Sequence, residues 1–547
     1  MQTECYPIAE LPGTTKLFRD FVEGGAECAR VLRRWYPHEP FSMAWAKYAP
    51  ELSAEHRARL ADALHAQVMA FGGGEAALKN VEKLRNGAAA VVTGQQVTLF
   101  GGPLLTLLKA ATAVRKAQDA TKASGREHVP VFWLATEDHD LAEVDQVAFA
   151  TKQAVETIKL DLRDDQPRPV GSIRVDDGSG ALTAALERTS ELLEWAPVAD
   201  WLREFYGAPD ATLASAFGKL LTRLFAKQGL VVMDASTGEF HALGAPVLRK
   251  AIEQAEELEA ALLARSKDLA DAGYHAQVNV EAGMSLVFLI STNEAGEQVR
   301  YSLRRNGGGE WKAGGKTYST AELLAILASE PERLSPNALL RAVFQDEILP
   351  TAAYIGGPAE IAYFAQSAVV YEKILGRVTP VQPRLSATLL EPAIAQTMAA
   401  HEVSLPQVFE ARSADELGVR LGARAMPIEG KRKLAAAGTA MDAELSALTE
   451  YMSAMSDDLG RAAGVSANKM RYQMNRLRRM AAAFEVQKEA SLSKHANAIM
   501  LNVFPEGHLQ ERVLAGVGFV ATHGDGLVEL LVEHAGQECP GHRVISL

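Results

Sequence analysis

The strongest constraint on the fold is a short apolar run followed by a polar or glycine-rich loop and a helix, repeated along the chain. Five runs have this form: 88–93, 129–135, 229–234, 352–355 and, more briefly, 378–382. Strands that alternate with helices predict an α/β protein with a parallel, doubly wound sheet. We therefore expect Val92, Leu134, Met233 and Ile355 to lie on parallel strands of one sheet. Such sheets bind ligands beyond the carboxyl ends of their strands.

Two segments interrupt this alternation, and a helical region follows it. Residues 145–208 are polar and mixed, and 270–330 predict a small β-rich unit. The strand-like runs and the glycine-rich turn of that unit are 277–280, 285–290, 299–302 and 306–309. The predicted units are core at 1–144, 209–269 and 331–389, inserted connecting units at 145–208 and 270–330, a coiled-coil domain at 390–505, and a return element on the core at 506–547.

The helical region contains two apolar seams with heptad spacing. The first seam is Met441, Leu445, Leu448, Met452, Met455 and Leu459. A break at 460–467 separates it from the second seam, which is Met470, Met474, Leu477, Ala481 and Phe484. This pattern predicts a long antiparallel helical hairpin. The hairpin can pack only within the chain, or its heptads can join two chains in a homodimer, and both interpretations stay open.

Composition excludes several classes of protein. The chain has 547 residues, enough for two or more domains, and a net charge of −12, which argues against a general nucleic-acid binder. Residues 1–21 carry no apolar segment of a signal peptide, and no apolar run is long enough to predict a membrane span. The three cysteines, Cys5, Cys28 and Cys539, contain no CxxC pair and predict a reducing compartment. These features predict a cytoplasmic protein.

The clearest chemical cluster is Glu137-Asp138-His139-Asp140, at the carboxyl end of the second predicted strand. Flanking carboxylates can hold a histidine as a general base, raise its pKa, or bind a divalent cation such as Mg²⁺. We predict His139 as the base and Asp138 or Asp140 as the group that orients it. The alternative interpretation is a solvated acidic loop.

Other polar or glycine-rich groups also follow predicted strands. The turn 93–96 follows the first strand, and a diglycine at 356–357 precedes a helix, a geometry that suits anions. Each of these is also compatible with a plain tight turn. The candidate substrate-binding residues are Thr93, Gly94, Gln95, Gln96, Gly102, Pro103, Asn337, Arg341, Gln345, Gly356, Gly357, Glu360, Arg384 and Ser386. A basic stretch with Arg476, Arg478 and Arg479 predicts either a nucleotide-phosphate site or a solvated helix face.

Several of these segments resemble the cysteine ligase family of bacillithiol biosynthesis, BshC. The matching stretches, in family order, are VVTGQQ (91–96), GGPLLTLLKA (101–110), VPVFWLATEDHD (129–140), LSPNALLRAVFQDEILPTAAYIGGPAEIAYFAQ (334–366), RLSATLLEP (384–392) and FPEGHLQER (504–512). The resemblance implies a Rossmann-like core related to class I nucleotidyl transferases, with two inserted connecting units and a C-terminal coiled coil that can mediate a dimer. It also implies the substrates, cysteine and glucosaminyl malate. The HIGH and KMSKS signatures of the nucleotidyl transferases do not stand in this sequence.

The implied reaction requires activation, because a carboxylate does not condense with an amine at neutral pH by itself. ATP can activate the carboxylate, leaving ADP or AMP, and a base then takes a proton from the amine. Two alternatives are another ATP-dependent ligase or nucleotidyl transferase on the same core, and a non-enzymatic nucleotide-binding scaffold.

Overall fold

The computed structural model describes residues 4–48, 50–163, 165–294, 296–537 and 539–547. Its strands are β1 (Glu4–Tyr6), β2 (Ala89–Gln95), β3 (His128–Leu134), β4 (Gln146–Ala150), β5 (Val155–Lys159), β6 (Val231–Asp234), β7 (Met284–Thr292), β8 (Gln298–Arg305), β9 (Glu310–Ala313), β10 (Lys316–Ser319), β11 (Leu334–Pro336), β12 (Thr351–Gly356), β13 (Val381–Pro383), β14 (Ser386–Leu390) and β15 (His542–Ser546).

The α-helices occupy most of the remaining chain. They are α1 (Lys16–Glu23), α2 (Ala26–Leu32), α3 (Ala54–Ala70), α4 (Glu75–Arg85), α5 (Leu105–Ser124), α6 (Leu141–Val144), α7 (Ala181–Leu192), α8 (Pro197–Tyr206), α9 (Leu213–Leu224), α10 (Gly238–Glu253), α11 (Ala255–Asp271), α12 (Thr320–Ser329), α13 (Ala338–Ile348), α14 (Pro358–Leu375), α15 (Pro392–Ala400), α16 (Leu405–Glu410), α17 (Ala414–Ala425), α18 (Ile428–Met455), α19 (Asp457–Lys488), α20 (Ala490–Val503), α21 (Gln510–Val513), α22 (Gly516–His523) and α23 (Gly526–His534).

The core is a five-stranded parallel sheet in the order β13-β12-β2-β3-β6. Val92, Leu134, Met233 and Ile355 lie on four of these strands, so that the prediction of one parallel sheet is confirmed. Strand β3 is buried along its whole length, as expected for a parallel strand covered by helices on both faces. The fold is therefore a Rossmann-like, doubly wound α/β core.

The strand order reverses direction between β2 and β12. From β2 the chain adds β3 and β6 on one side, and β12 and β13 then extend the sheet on the other side. The point of reversal leaves a crevice outside the carboxyl ends of the two central strands, where doubly wound sheets bind ligands. Gln95 ends β2 and Gly356 ends β12, so these two segments border the crevice.

The second predicted insertion forms an antiparallel sheet in the order β10-β9-β8-β7-β11. The runs 285–290 and 299–302 lie within β7 and β8, as predicted. The predicted strand at 277–280 is wrong, because this segment is irregular. The backbone of Val278 forms hydrogen bonds with a side chain and not with a neighbouring strand. Its N–H donates to Gln366 Oε1, and its carbonyl accepts from Gln366 Nε2.

Helices α18 and α19 form the predicted antiparallel hairpin, but its details differ from the prediction. The chain reverses at Ser456, and residues 460–467 are helical, so the predicted break there is wrong. Mostly small residues make the buried face of α19: Gly460, Ala467, Met474 and Ala482. Several predicted seam residues face solvent instead: Leu448, Met455, Met470, Leu477 and Phe484. Small residues on the buried face of α19 permit a close approach to its neighbouring helices, and the larger apolar residues lie on the exposed face.

The last part of the chain returns to the core. Strand β15 pairs in parallel with β14 and antiparallel with β1, and this joins the two ends of the described chain. The same pairing brings Cys5 and Cys539 together in a disulfide with a Cα–Cα distance of 5.9 Å. The sparse cysteine count did not predict this bond, because the two residues are 534 positions apart in sequence. The cytoplasmic location stays a prediction.

Candidate active site

A cavity of about 480 Å³ opens at the crevice beside β2 and β12. The predicted residues that line it are Gly94, Gln95, Gln96, Asp138, Asn337, Arg341, Gly357, Glu360 and Arg384. These predicted residues come from four separate stretches of the sequence and meet at one cavity. It is within the size range typical of small-molecule sites.

Lys109 and Glu360 form a buried ion pair at the wall of this cavity, with 2.5 Å between Nζ and Oε2. Lys109 Nζ also donates to the carbonyl of Gly94 at 2.7 Å and to Gln95 Oε1 at 2.8 Å. Burial lowers the pKa of Lys109, although Glu360 opposes this effect. Burial raises the pKa of Glu360, but Lys109 and the hydrogen bonds to the carboxylate outweigh it, so that the pKa lies below its usual value. The pair thus holds the end of β2 against the first turn of α14.

Arg341 presents a guanidinium group whose hydrogen-bond partners are neutral. It donates to the hydroxyl of Tyr363 at 2.8 Å and to Gln345 Oε1 at 3.2 Å. Its guanidinium carbon lies 5.4 Å from the ring centre of Tyr354. None of these hydrogen bonds neutralises its charge, so Arg341 suits recognition of a carboxylate or phosphate.

Arg300 comes from β8 of the inserted antiparallel sheet and lines the same cavity. It donates to Ser335 Oγ at 2.9 Å and to the carbonyl of Pro336 at 2.8 Å, and its guanidinium stacks 3.8 Å from the ring centre of Phe288. Burial lowers the pKa of Arg300. The insertion thereby adds a second fixed guanidinium to the core site.

Asp138 is fixed by two hydrogen bonds. Its Oδ2 accepts from Gln96 Nε2 at 2.7 Å, and its Oδ1 accepts from the backbone N–H of His139 at 2.8 Å. Gln96 follows β2 and Asp138 follows β3, and because these two strands are neighbours in the sheet, the hydrogen bond connects their carboxyl ends. Asp138 therefore shapes the cavity wall through contacts that it makes within the protein.

Glu137 also lines the cavity, and it lies beside a buried histidine of α10. Its Oε1 lies 3.1 Å from Nε2 of His241, and the two side chains are 13% and 0% exposed. The Nδ1 of His241 lies 3.1 Å from the carbonyl of Pro331. Burial lowers the pKa of His241, but the charge of Glu137 and the Pro331 carbonyl outweigh it, so that the pKa is raised.

Comparisons with known families agree with this fold. The model of the bacillithiol biosynthesis BshC N-terminal Rossmann-like domain matches residues 1–385, and that of the BshC C-terminal coiled-coil domain matches 387–547. The chain belongs to the BshC family. A relative from Koribacter versatilis is 40% identical over 100% of both chains, and one from Solibacter usitatus is 36% identical over 100% of both. Each carries the name "Putative cysteine ligase BshC".

Eight predicted catalytic or substrate-binding residues of this BshC chain do not line the cavity, and His139, Asp140 and Thr93 are three of them. The ring of His139 accepts a hydrogen bond at Nδ1 from Arg300 at 3.0 Å and lies 5.8 Å from the ring of Phe288. Asp140 is exposed and precedes α6. Neither residue lines the cavity, and neither does Thr93, whose buried hydroxyl donates to the carbonyl of Ile355. Their predicted roles in catalysis and binding stay predictions.

The remaining candidates have contacts within the protein. Gly516 donates to the carbonyl of Gly102, and Pro103 forms a bridge with Ala515, so this turn contacts the C-terminal segment. Gln345 is buried and donates to Asp346. Ser386 donates to Glu511 and lines a second cavity near the chain ends. Gly356 accepts from the backbone of Arg384.

The three hairpin arginines lie on α19, away from the sheet. Arg476, Arg478 and Arg479 are exposed and line none of the described cavities. Arg478 lies against the backbone of Gly438 on α18 and donates to Asn475. Both contacts belong to the hairpin itself, and a nucleotide role for these arginines stays a prediction.

Sequence reasoning missed Lys109, Glu137 as a site residue, His241, Arg300 and Glu511. Lys109 stands in a matching family stretch and is the one charged residue among the mostly apolar residues 104–114, and this was an available signal. His241 and Arg300 had no such signal, because only tertiary packing brings α10 beside Glu137 and β8 to the cavity. Gly94 was predicted to let a ligand approach, and it lines the cavity, but a Cβ there would also lie 2.8 Å from the carbonyl oxygen of Trp133. Glycine at this position is therefore required by the packing of β2 on β3 as well.

The described residues contain no group of three or more histidine, cysteine or acidic side chains arranged to hold a metal ion. In the same part of the chain, no helix has the length and apolar character needed to cross a bilayer.

Proposed function

We propose that the chain is a ligase that joins the carboxyl group of cysteine to the amino group of glucosaminyl malate and forms bacillithiol. The observation that carries this proposal is a single cavity lined by both carboxylates and guanidinium groups, Glu137 and Asp138 with Arg300 and Arg341. Both substrates carry an amino group and at least one carboxylate, so both charge types are needed for recognition. Family membership and the names of the relatives support the same reaction.

The ligation needs an activated acyl group, and we propose that ATP supplies it, with Mg²⁺ accompanying its phosphates. The two guanidinium groups and the first turn of α14 at Gly357 suit the negative charge of phosphates. Because ATP and cysteine are metabolites of the cytoplasm, the reaction belongs in that compartment. The chain's own residues would orient the two substrates and exclude water from the acyl group.

We also propose that the hairpin joins two copies of the chain in a homodimer. Leu448 and Met455 are one heptad apart on α18, and Met470, Leu477 and Phe484 are one heptad apart on α19. Residues one heptad apart form a stripe along a helix, and these residues are all more than half exposed. An exposed apolar stripe of this kind favours a helical partner.

The test is a reaction of purified protein with cysteine, glucosaminyl malate, ATP and Mg²⁺, followed by mass spectrometry of the thiols. We expect a product with the mass of both substrates minus one water, and ADP or AMP in equal amount. Omission of each component in turn serves as the control. A full-length, folded protein that binds neither substrate and forms no product with ATP contradicts the proposal.

A further inference from the structure

The carboxylates that line the cavity differ in how their oxygen atoms are used. Glu360 accepts from Tyr354, Lys109 and the backbone of Gly357, so both of its oxygens are bonded. Asp138 is likewise bonded at both oxygens. Glu143 is exposed. Of these lining carboxylates, Glu137 alone is sheltered from solvent and accepts no hydrogen bond at either oxygen from the described residues; its Oε1 lies 3.1 Å from His241 Nε2, and its Oε2 has no such neighbour.

His139 has a different environment. Its Nδ1 accepts from Arg300, which always carries a positive charge, so a proton on Nδ1 would break that bond. A proton on Nδ1 would also place two positively charged groups 3.0 Å apart. The carboxylate of Asp138 lies farther from the same atom, with 3.8 Å between Oδ1 and Nδ1, so the guanidinium is the nearer charge. The ring of His139 also lies outside the cavity wall.

We propose that Glu137 is the general base of the ligation, and that His241 is a positioning residue that holds its carboxylate. This inference rests on the proposed function. The amine nitrogen of the acceptor bonds to the activated acyl carbon of cysteine, and the bond from that carbon to its phosphate oxygen breaks. The phosphate leaves with the electron pair, and one proton of the amine passes to Oε2 of Glu137.

A carboxylate is a sufficient base for this step. An amine nitrogen becomes far more acidic once its lone pair has bonded to carbon, so the proton moves to a weak base. His241 keeps Oε1 in place through opposite charge, while burial keeps both groups from rotating into water. The proton acceptor is therefore fixed before the substrates bind, as efficient general-base catalysis requires.

The first experiment separates activation of cysteine from the attack of the amine. Hydroxylamine is neutral at pH 7 and attacks activated acyl groups without a base, so it converts activated cysteine into a hydroxamate. We expect Glu137→Gln to form cysteine hydroxamate at the wild-type rate and to lose bacillithiol formation by about 10²–10⁴-fold. Glu187→Gln, the same substitution at an exposed position of α7, is the matched control and should match wild type in both assays.

Two outcomes of this experiment have different meanings. If Glu137→Gln loses hydroxamate and bacillithiol formation equally, with a normal thermal melt, Glu137 serves activation and the proposal is overturned. If the wild-type protein itself forms neither compound, the proposed function fails, and this result is distinct from a failure of the base assignment. Glu137→Asp, which keeps the charge on a shorter side chain, should retain more activity than Glu137→Gln.

The second experiment is the pH profile of bacillithiol formation. The substrate amine must itself lose a proton before it attacks, so each profile is read as the ratio of the wild-type rate to the rate of a variant, in which the contribution of the amine cancels. The ratio for Glu137→Gln should rise with pH and then become constant. His241→Gln removes one positive charge beside Glu137 and leaves the other nearby charges, Arg300 and Asp234, in place, so in this background the same rise should occur at higher pH, which a purely structural role would not cause. If the ratio for His139→Gln depends on pH in this way and the ratio for Glu137→Gln does not, His139 is the base and the proposal is overturned.

Discussion

The carboxylate of Glu511 accepts a hydrogen bond from each terminal nitrogen of the Arg384 guanidinium, at 3.0 and 2.6 Å. The ion pair is buried, because the side chain of Glu511 is 2% exposed and that of Arg384 is 4% exposed. Arg384 lines the cavity, and Glu511 belongs to α21 in the C-terminal part of the chain. The same carboxylate accepts from the backbone N–H of Ala387. The pair thus connects the C-terminal segment to the edge of the active site, and it neutralises an arginine that the sequence predicted to bind substrate.

Removal of one member of this pair should be strongly destabilising. Glu511→Gln leaves the charge of Arg384 buried without its partner, and we expect the free energy of unfolding to fall by about 3–5 kcal/mol. Denaturant unfolding measures this change. The double variant Arg384→Met/Glu511→Met should lose much less, because no charge remains buried. A loss below about 1 kcal/mol in Glu511→Gln would indicate a solvated pair.

Stability should also depend on His542 at mildly acidic pH. Burial lowers the pKa of His542 from 6.5 to about 4. Between these values the unfolded chain binds a proton that the folded chain does not, so stability should fall as pH decreases from about 6.5 to about 4. The full difference corresponds to about 3 kcal/mol. Unfolding of His542→Gln and wild type at several pH values tests this, and an equal slope in both proteins contradicts it.

Arg341 should contribute to binding of an anionic substrate rather than to folding. Arg341→Lys keeps the charge but loses the planar fork that binds two oxygens at once. Each lost charge-assisted hydrogen bond costs about 1.5–3 kcal/mol, so glucosaminyl malate should bind at least tenfold more weakly. Calorimetric titration measures the affinity, and glucosamine without malate serves as the control ligand. Unchanged affinity for glucosaminyl malate would place its carboxylates elsewhere.

The apolar stripes on the hairpin should control the oligomeric state. We expect wild type to be a dimer at micromolar concentration by light scattering, and Leu448→Asp/Leu477→Asp to be monomeric with an unchanged fold. The control Ser446→Asp/Asn475→Asp adds the same charge at exposed positions outside the stripes. A monomeric wild type contradicts the proposed dimer.

The sequence by itself determined the parallel sheet, its approximate strands, the helical hairpin and about a third of the residues that line the cavity. These follow from local patterns: apolar runs bounded by glycine, heptad spacing, and polar groups directly after strands such as Gln96 and Asp138. Only the tertiary structure decided the inner face of the hairpin, where Gly460 and Ala467 replace the larger seam residues. It also decided which charges are neutralised. Arg384 and Glu511 are 127 positions apart, and Glu137 and His241 are 104 apart. Coulomb interactions depend on distance in space and on burial, and neither quantity can be read from the order of residues along the chain.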